Sequence, residues 1–517
     1  MILKKLSNIY KSSAVVGIWT LISRVLGFIR DILFASILGS GPIAEAWIIA
    51  FRIPNLFRRF FAEGAFSAAF IPLLSKTNEK FGKSAGLDFT SRVASILLFT
   101  VVPLIILSEL LMPQIILLIA PGFSENTERL ELAIPYAQII FPYLIFIVFT
   151  ALFAACLNTN GNFWSGAAAP TILNIFLIFG LVISRSFNLE TGIIISWSVL
   201  IAGIFQMLLV ALANYKQGLS FSLALPKIDK HIILFFKRFF PAALGAGVTQ
   251  INLLVASIFA SQIPGAISWL YYSDRIAQLP LGIIAIAVGT VLLPDLSKNI
   301  SLNKQKEQNL SQERAILLTL IFSFPAAVAL IYLSELIIMT LFGYGVFSKS
   351  DIIKTSSALE IYAYAIPAFM LIKVLSPNYF ARQDTKTPLK IGAICAFSNI
   401  FLCWYLMDKI GYLGIAISLS ISGYINAFLL FFILVKRKFY SLTRNFYLTL
   451  MKITISSISM LIILFLMKYF LLNFAFESKV ILNIFCLTIL VIIGVFSYFF
   501  VCNLMGVFKS FKKNSYN

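Results

Sequence analysis

The chain has 517 residues, of which 60% are hydrophobic, 15% aromatic and only 12% charged, and its mean hydropathy is +0.94. A soluble globular chain is roughly 45–50% apolar and about 25% charged, so these residues cannot cover a water-facing surface and the chain is an integral membrane protein. Lys and Arg number 41 against 21 Asp and Glu, a formal excess of +20, which in a membrane protein points to basic cytoplasmic loops before it points to nucleic acid.

A helix needs about 20 apolar residues to cross the hydrocarbon. In chain order, runs of that length lie near 14–38, 43–72, 93–119, 132–157, 165–184, 191–213, 232–260, 266–294, 315–342, 357–380, 388–407, 411–435, 449–472 and 480–506. The predicted fold is therefore all-α and polytopic, with 14 transmembrane helices. The first run is long, contains Arg24 and Arg30, and ends without a small-x-small cleavage site, so it reads as a permanent span and not a signal peptide. With end turns counted in their adjoining loops, Lys and Arg number 27 on the side of the N-terminus and 7 on the opposite side. Cytoplasmic loops retain positive charge, which places both termini in the cytoplasm and accounts for most of the excess without nucleic acid.

Span two ends Pro72-Leu73-Leu74-Ser75-Lys76 and span eight ends Pro294-Asp295-Leu296-Ser297-Lys298, and the same offset of 222 pairs Trp47 with Trp269 and Ala44 with Ala266. A six-span unit crosses the membrane an even number of times, so two copies share one orientation. The expected organisation is a six-helix lobe over 1–220, a second over 221–440, and spans thirteen and fourteen with a cytoplasmic tail over 441–517.

Seven basic residues remain inside spans: Arg24, Arg30, Arg52, Arg58, Arg59, Arg275 and Lys373. A charge at mid-bilayer costs about 2.5–3.5 kcal/mol on insertion scales, so a cluster belongs in a water-filled cavity and not against lipid. Asp31, Glu45 and Glu63 accompany the arginines of spans one and two. Arg59 and Glu63 are i,i+4 neighbours, so a purely structural pair and a substrate-contacting pair both remain open. Arg24, Arg30, Arg52, Arg58 and Arg275 have no acid three or four residues away in their own helix. They require an acid on another helix or an anionic ligand, whereas Lys373, alone in span ten, suits snorkelling or local pairing. Arginine presents a planar fork of donors matched to phosphate oxygens, and several together suit a diphosphate headgroup. At an effective dielectric of about 20, one charge pair at 4 Å is worth roughly 4 kcal/mol, enough for three arginines to offset much of a headgroup's desolvation. The expected cavity is lined by spans one, two, seven and eight. Gly27, Pro54, Gly64, Pro280 and Gly282 would permit bends beside these sites.

Other chemistries lack their residues. The five cysteines (Cys156, Cys395, Cys403, Cys486, Cys502) lie singly in apolar stretches with no C-x-x-C spacing, and His231 is the sole histidine. Neither a disulfide framework, a metal site nor a cofactor is indicated. An enzyme acting on polyprenyl phosphates would need catalytic carboxylates or histidines and a sizeable extramembrane loop, and neither is evident. A cation-coupled multidrug exporter would need an acidic cavity in place of an arginine-rich one.

The motifs Ser23-Arg24-Val25-Leu26-Gly27-Phe28-Ile29-Arg30-Asp31, Pro54-Asn55-Leu56-Phe57-Arg58-Arg59-Phe60-Phe61-Ala62-Glu63-Gly64-Ala65-Phe66-Ser67 and Ser268-Trp269-Leu270-Tyr271-Tyr272-Ser273-Asp274-Arg275 resemble the MurJ (MviN) family of bacterial lipid II flippases, within the multidrug/oligosaccharidyl-lipid/polysaccharide exporter superfamily. The resemblance extends over essentially the whole chain, including Ala120-Pro121-Gly122-Phe123 and Arg382-Gln383-Asp384-Thr385-Lys386-Thr387-Pro388. It implies a non-enzymatic flippase of the bacterial inner membrane that moves the undecaprenyl-diphosphate-linked peptidoglycan precursor to the outer leaflet by alternating access. The neighbouring possibility is an exporter of another lipid-linked glycan or of drugs. By motif, Arg24, Arg30, Arg58, Arg59 and Arg275 match the family's functional arginines, with Asp31, Glu45, Glu63 and Ser268 beside them as substrate-binding candidates. Glu45 stands where many members have an aspartate, and spans thirteen and fourteen would form a lipid-tail groove. The implied partners are lipid II, membrane lipids and other cell-wall synthesis proteins. A carboxylate-ligated sodium site, proposed for some members, has no evident provider: spans seven and eleven lack interior Asp or Glu, and Asn399 and Cys403 are the nearest approach to ligands. Coupling to sodium or to membrane potential stays open at this level.

Overall fold

The computed structural model describes residues 2–62, 65–219, 229–302, 304–475 and 480–509. Every described element is helical, and the chain divides into two compact units, Met1–Ser268 and Trp269–Asn517. Among the described residues, ten helices or joined helix pairs are long and apolar enough to cross a membrane. The remaining predicted spans, one, two, seven and eight, also coincide with helices.

The first unit opens with α1 (Ile2–Leu38), α2 (Pro42–Ala62) and α3 (Ala65–Leu110). The backbone of α3 leaves helical geometry at Gly82, with φ 84° and ψ 170°, so its first part finishes span two and its second begins span three. Span three is completed by α4 (Met112–Ile119), and a 3-10 turn (Pro121–Glu125) leads into α5 (Thr127–Ile140) and α6 (Tyr143–Thr159). Proline sits in the opening turn of α4 and of the 3-10 turn, where its missing N–H has no helical partner to lose. Asn126 caps α5 by accepting a hydrogen bond from the Arg129 amide at 3.3 Å. Spans three and four, read as continuous in the sequence, are thus each built from two helices. Hydropathy over a window averages across such a break, because the flanking apolar residues dominate the sum.

The unit continues with α7 (Trp164–Ser186), α8 (Thr191–Lys216), α9 (Lys230–Ala260) and the first turn of α10 (Ala266–Ser301). His231 lies in the opening turn of α9, with the Phe81 and Phe89 ring centroids 6.5 and 6.4 Å away.

The second unit holds the rest of α10, then α11 (Gln305–Phe342), α12 (Lys349–Phe380), α13 (Lys386–Ile410), α14 (Tyr412–Lys436), α15 (Arg444–Ala475) and α16 (Val480–Leu504). A capping box starts α12: the Ser348 hydroxyl accepts from the Asp351 amide, and the Asp351 carboxylate accepts from the Ser348 amide. The other oxygen of Asp351 accepts from the Trp269 indole N–H at 2.8 Å. Trp47 and Trp269, paired by the 222 offset, are both buried in the opening turns of their helices, as are Ala44 and Ala266. All five cysteines are buried free thiols, and Lys373 is exposed on α12.

One face of α11 holds the linker between α14 and α15. Gln305, Gln308, Asn309, Gln312 and Glu313 follow helical i, i+3, i+4, i+7, i+8 spacing. Gln305 donates to the Lys438 carbonyl, Gln312 to the Phe439 carbonyl, and Asn309 both donates to and accepts from Ser441. Glu313 accepts from the Thr443 hydroxyl at 2.8 and 2.9 Å. Gln308 instead accepts from Arg382, whose guanidinium also lies over the Phe439 ring at 4.4 Å.

Beside this strap, Asp384 accepts from the Thr387 amide and hydroxyl and pairs with Arg437 at 2.6 Å. Desolvation raises its pKa, but the Thr387 bonds and the Arg437 guanidinium outweigh that and hold it down to about 2. A carboxylate depressed below its ordinary value of about 3.9 stabilises the fold above that pH, and the contribution disappears as pH falls from about 4 to about 2. The wild-type chain is therefore expected to lose more thermal stability than Asp384→Asn between pH 5 and pH 2. Equal losses in detergent melting curves would refute this role.

Candidate functional site

The intramembrane arginines of the first unit lie on α1 and α2. On α1, Arg24 is exposed, whereas the Arg30 and Asp31 side chains are only 14% and 7% exposed. Arg30 donates to one oxygen of Asp31 through Nε at 3.1 Å and Nη2 at 2.7 Å, and through Nη1 to Asn174 Oδ1 on α7 at 2.9 Å. The acid that Arg30 needed is thus its own neighbour in sequence. Consecutive helix residues do not ordinarily face one another, so a search at i,i+3 and i,i+4 passes over it.

On α2, Arg52 donates to the Leu253 carbonyl at 2.8 Å and to the Ser257 hydroxyl, and Arg59 donates to Gln250 Oε1 at 3.3 Å. Arg52 and Arg59 are seven residues apart and share the face turned to α9. Arg58 donates from Nε to Asn55 Oδ1 one turn earlier, at 2.9 Å. Glu63 lies outside the described residues.

Glu45 sits in the first turn of α2 and is 1% exposed; Arg129 of α5 is 3% exposed and pairs with it at 3.2 Å. The same guanidinium donates to the Ser261 carbonyl at 3.0 Å and the Gly122 carbonyl at 3.3 Å, and it lies over the Phe123 ring at 4.8 Å. The second Glu45 oxygen accepts from the Ile267 amide at 3.1 Å, and the Gly122 amide donates to the Ser261 hydroxyl at 3.0 Å. This network joins α2, the Ala120-Pro121-Gly122-Phe123 turn, α5 and the α9–α10 turn. Arg129 counts as a loop charge in the sequence, because its partner lies 84 residues away.

The turn tolerates no side chain at Gly122. A Cβ there would lie 2.3 Å from the Ser261 carbonyl oxygen and 2.4 Å from its carbon, both backbone atoms. Gly122→Ala is expected to displace the α9–α10 turn and lower the melting temperature by several degrees, on the order of 1–3 kcal/mol for overpacking. Thermal unfolding in detergent checks this, and an unchanged melting temperature counts against the close approach.

Ser268 is fully buried, and its hydroxyl has no hydrogen-bond partner among the described residues. In the second unit, Arg275 of α10 is half-buried with its guanidinium over the Tyr271 ring at 4.6 Å. On α13 and α14, Cys403 Sγ lies 2.8 Å from the Ser418 hydroxyl and 3.7 Å from Asn399 Oδ1. These neutral donors in direct mutual contact have the chemistry of a hydrogen-bonded helix seam and do not fit a carboxylate-ligated cation site.

Comparison with known proteins identifies the family. The family model for lipid II flippase MurJ matches residues 34–501. A relative from Rhizobium tropici named "probable lipid II flippase MurJ" is 40% identical over 434 residues, covering 83% of this chain and 81% of its own. One of the same name from Rickettsia prowazekii is 36% identical over 502 residues, covering 97% and 98%. A solved lipid II flippase MurJ in an inward closed conformation is 31% identical with a TM-score of 0.82, covering 95% of this chain and 99% of that one. An inward-facing multidrug transporter of the MATE family, at 14% identity and a TM-score of 0.68, shares the fold. The helices, the arginine-bearing motifs and a family match from α1 to α16 together establish that this chain belongs to the MurJ family of lipid II flippases.

Proposed function

We propose that this chain carries lipid II, the undecaprenyl-diphosphate-linked peptidoglycan precursor, from the cytoplasmic to the periplasmic leaflet of the bacterial inner membrane by alternating access. The observation that carries this reading is the set of arginines inside apolar spans of a chain matched across residues 34–501 by the lipid II flippase model. Charges in hydrocarbon are retained where they serve a polar ligand or pathway, and a guanidinium fork suits diphosphate oxygens. Arg24, Arg30, Arg58, Arg59 and Arg275 take the headgroup in this reading, with Asp31, Glu45, Glu63 and Ser268 in the surrounding polar set. The 27-to-7 distribution of Lys and Arg puts both termini in the cytoplasm. Two six-helix lobes, over 1–220 and 221–440, would do the rocking, and 441–517 would hold the lipid tail. Other cell-wall synthesis proteins would supply and withdraw the lipid.

Depletion of the protein in its native bacterium, with lipid II labelled separately on each face of the membrane, tests the reading. The expected result is accumulation on the cytoplasmic face, and an unchanged distribution would overturn it.

A further inference from the structure

Asn174 lies in the middle of α7, whose one charged residue, Arg185, is in its last turn. Its side chain is buried and engaged at both ends. Nδ2 donates to the Ser23 carbonyl at 2.9 Å and to the Ser23 hydroxyl at 3.3 Å, while Oδ1 accepts from Arg30 Nη1 at 2.9 Å. Gly27 occupies the turn of α1 between Ser23 and Arg30. A Cβ at Gly27 would touch Nδ2 at 3.5 Å and Oδ1 at 3.7 Å, so the amide lies directly against the α1 backbone. The other edge of the guanidinium, Nε and Nη2, is held by Asp31. A planar group gripped on both edges cannot turn about its own axis, so its plane is set by α1 and α7 jointly.

The residue type is informative as well as the geometry. Arg30 already shares its charge with Asp31 at 2.7 Å. A second carboxylate at 174 would orient the guanidinium equally well but leave the trio with net negative charge, which repels an anionic headgroup. A neutral amide oxygen orients Arg30 without discharging it, and the amide nitrogen registers the whole group on the Ser23 carbonyl. An apolar residue would do neither.

We propose that Asn174 is a positioning residue for Arg30 and through it sets affinity for a diphosphate-bearing lipid. This rests on the reading of Arg30 as a headgroup contact. The test is a double-mutant cycle on the purified full chain in detergent, with a polyprenyl diphosphate as probe, its Kd read by tryptophan fluorescence and folding by melting temperature. Asn174→Leu is expected to weaken binding about tenfold, the scale of one charge-assisted hydrogen bond. Arg30→Ala weakens it at least as much, and the double variant binds no worse than Arg30→Ala alone, because Asn174 acts only through the arginine. Asn174→Ala runs the same cycle should the leucine disturb packing. Wild-type affinity in both Asn174 variants, or additive losses in the cycle, would overturn the positioning role while Arg30→Ala still weakens binding. Wild-type affinity in Arg30→Ala would instead overturn the reading of Arg30 on which the proposal rests.

Discussion

Alanine at Arg30, Arg58 or Arg275 is expected to abolish complementation of a strain depleted of its own flippase, and lysine at the same positions is expected to lower it by at least about tenfold. The structure gives each guanidinium a different support: Asp31 and Asn174 for Arg30, Asn55 for Arg58, and the Tyr271 ring for Arg275. All three supports act on a planar fork. Lysine retains the attraction of a point charge but cannot make two parallel bonds to a carboxylate or phosphate, nor stack in the same way on a ring. Losing one hydrogen bond to a charged group costs about 1.5–3 kcal/mol, which is tenfold or more in a binding constant. Growth on depletion, with membrane levels of each variant measured in parallel, decides the matter. Full complementation by all three alanine variants at normal levels would remove these residues from the substrate-binding set.

A second large effect is expected at the Glu45–Arg129 pair, and it should appear in stability. Both groups are almost fully buried. Removing one member leaves a charge with its partner gone and its hydration already lost, a situation that costs about 3–5 kcal/mol. Glu45→Ala and Arg129→Ala should therefore each lower the melting temperature sharply and reduce the amount of protein in the membrane. Replacing both by apolar residues, as in Glu45→Leu with Arg129→Met, should be less harmful than the sum of the single changes. The recovery is partial, since the Ile267 amide and the Ser261 and Gly122 carbonyls lose their partners too. Melting curves of the two single variants and the double variant give the coupling directly. Single variants as stable as the wild type would show that water or another group compensates the buried charge.

The bilayer makes hydropathy a reliable guide to where this chain crosses it, because each crossing helix must satisfy its own backbone in hydrocarbon and present apolar side chains to lipid. The fourteen apolar runs, the basic bias of alternate loops and the five arginines of the family motifs are all legible on that ground. They are properties of short stretches, or of residues counted one by one. The breaks that divide spans three and four are not legible, because they depend on a few residues within strongly apolar windows. Ion-pair partners are harder still. Arg30 pairs with the adjacent Asp31 while also bonding Asn174, 144 positions along the chain, and the buried Arg129 bonds Glu45 and Ser261, 84 and 132 positions away. Sequence spacing ranks the contacts a helix can make with itself. Which helix lies against which, and hence which charge is compensated, is decided by packing among helices whose lipid-facing and buried residues are alike apolar, so tertiary structure alone assigned the partners of Arg30, Arg52, Arg59 and Arg129.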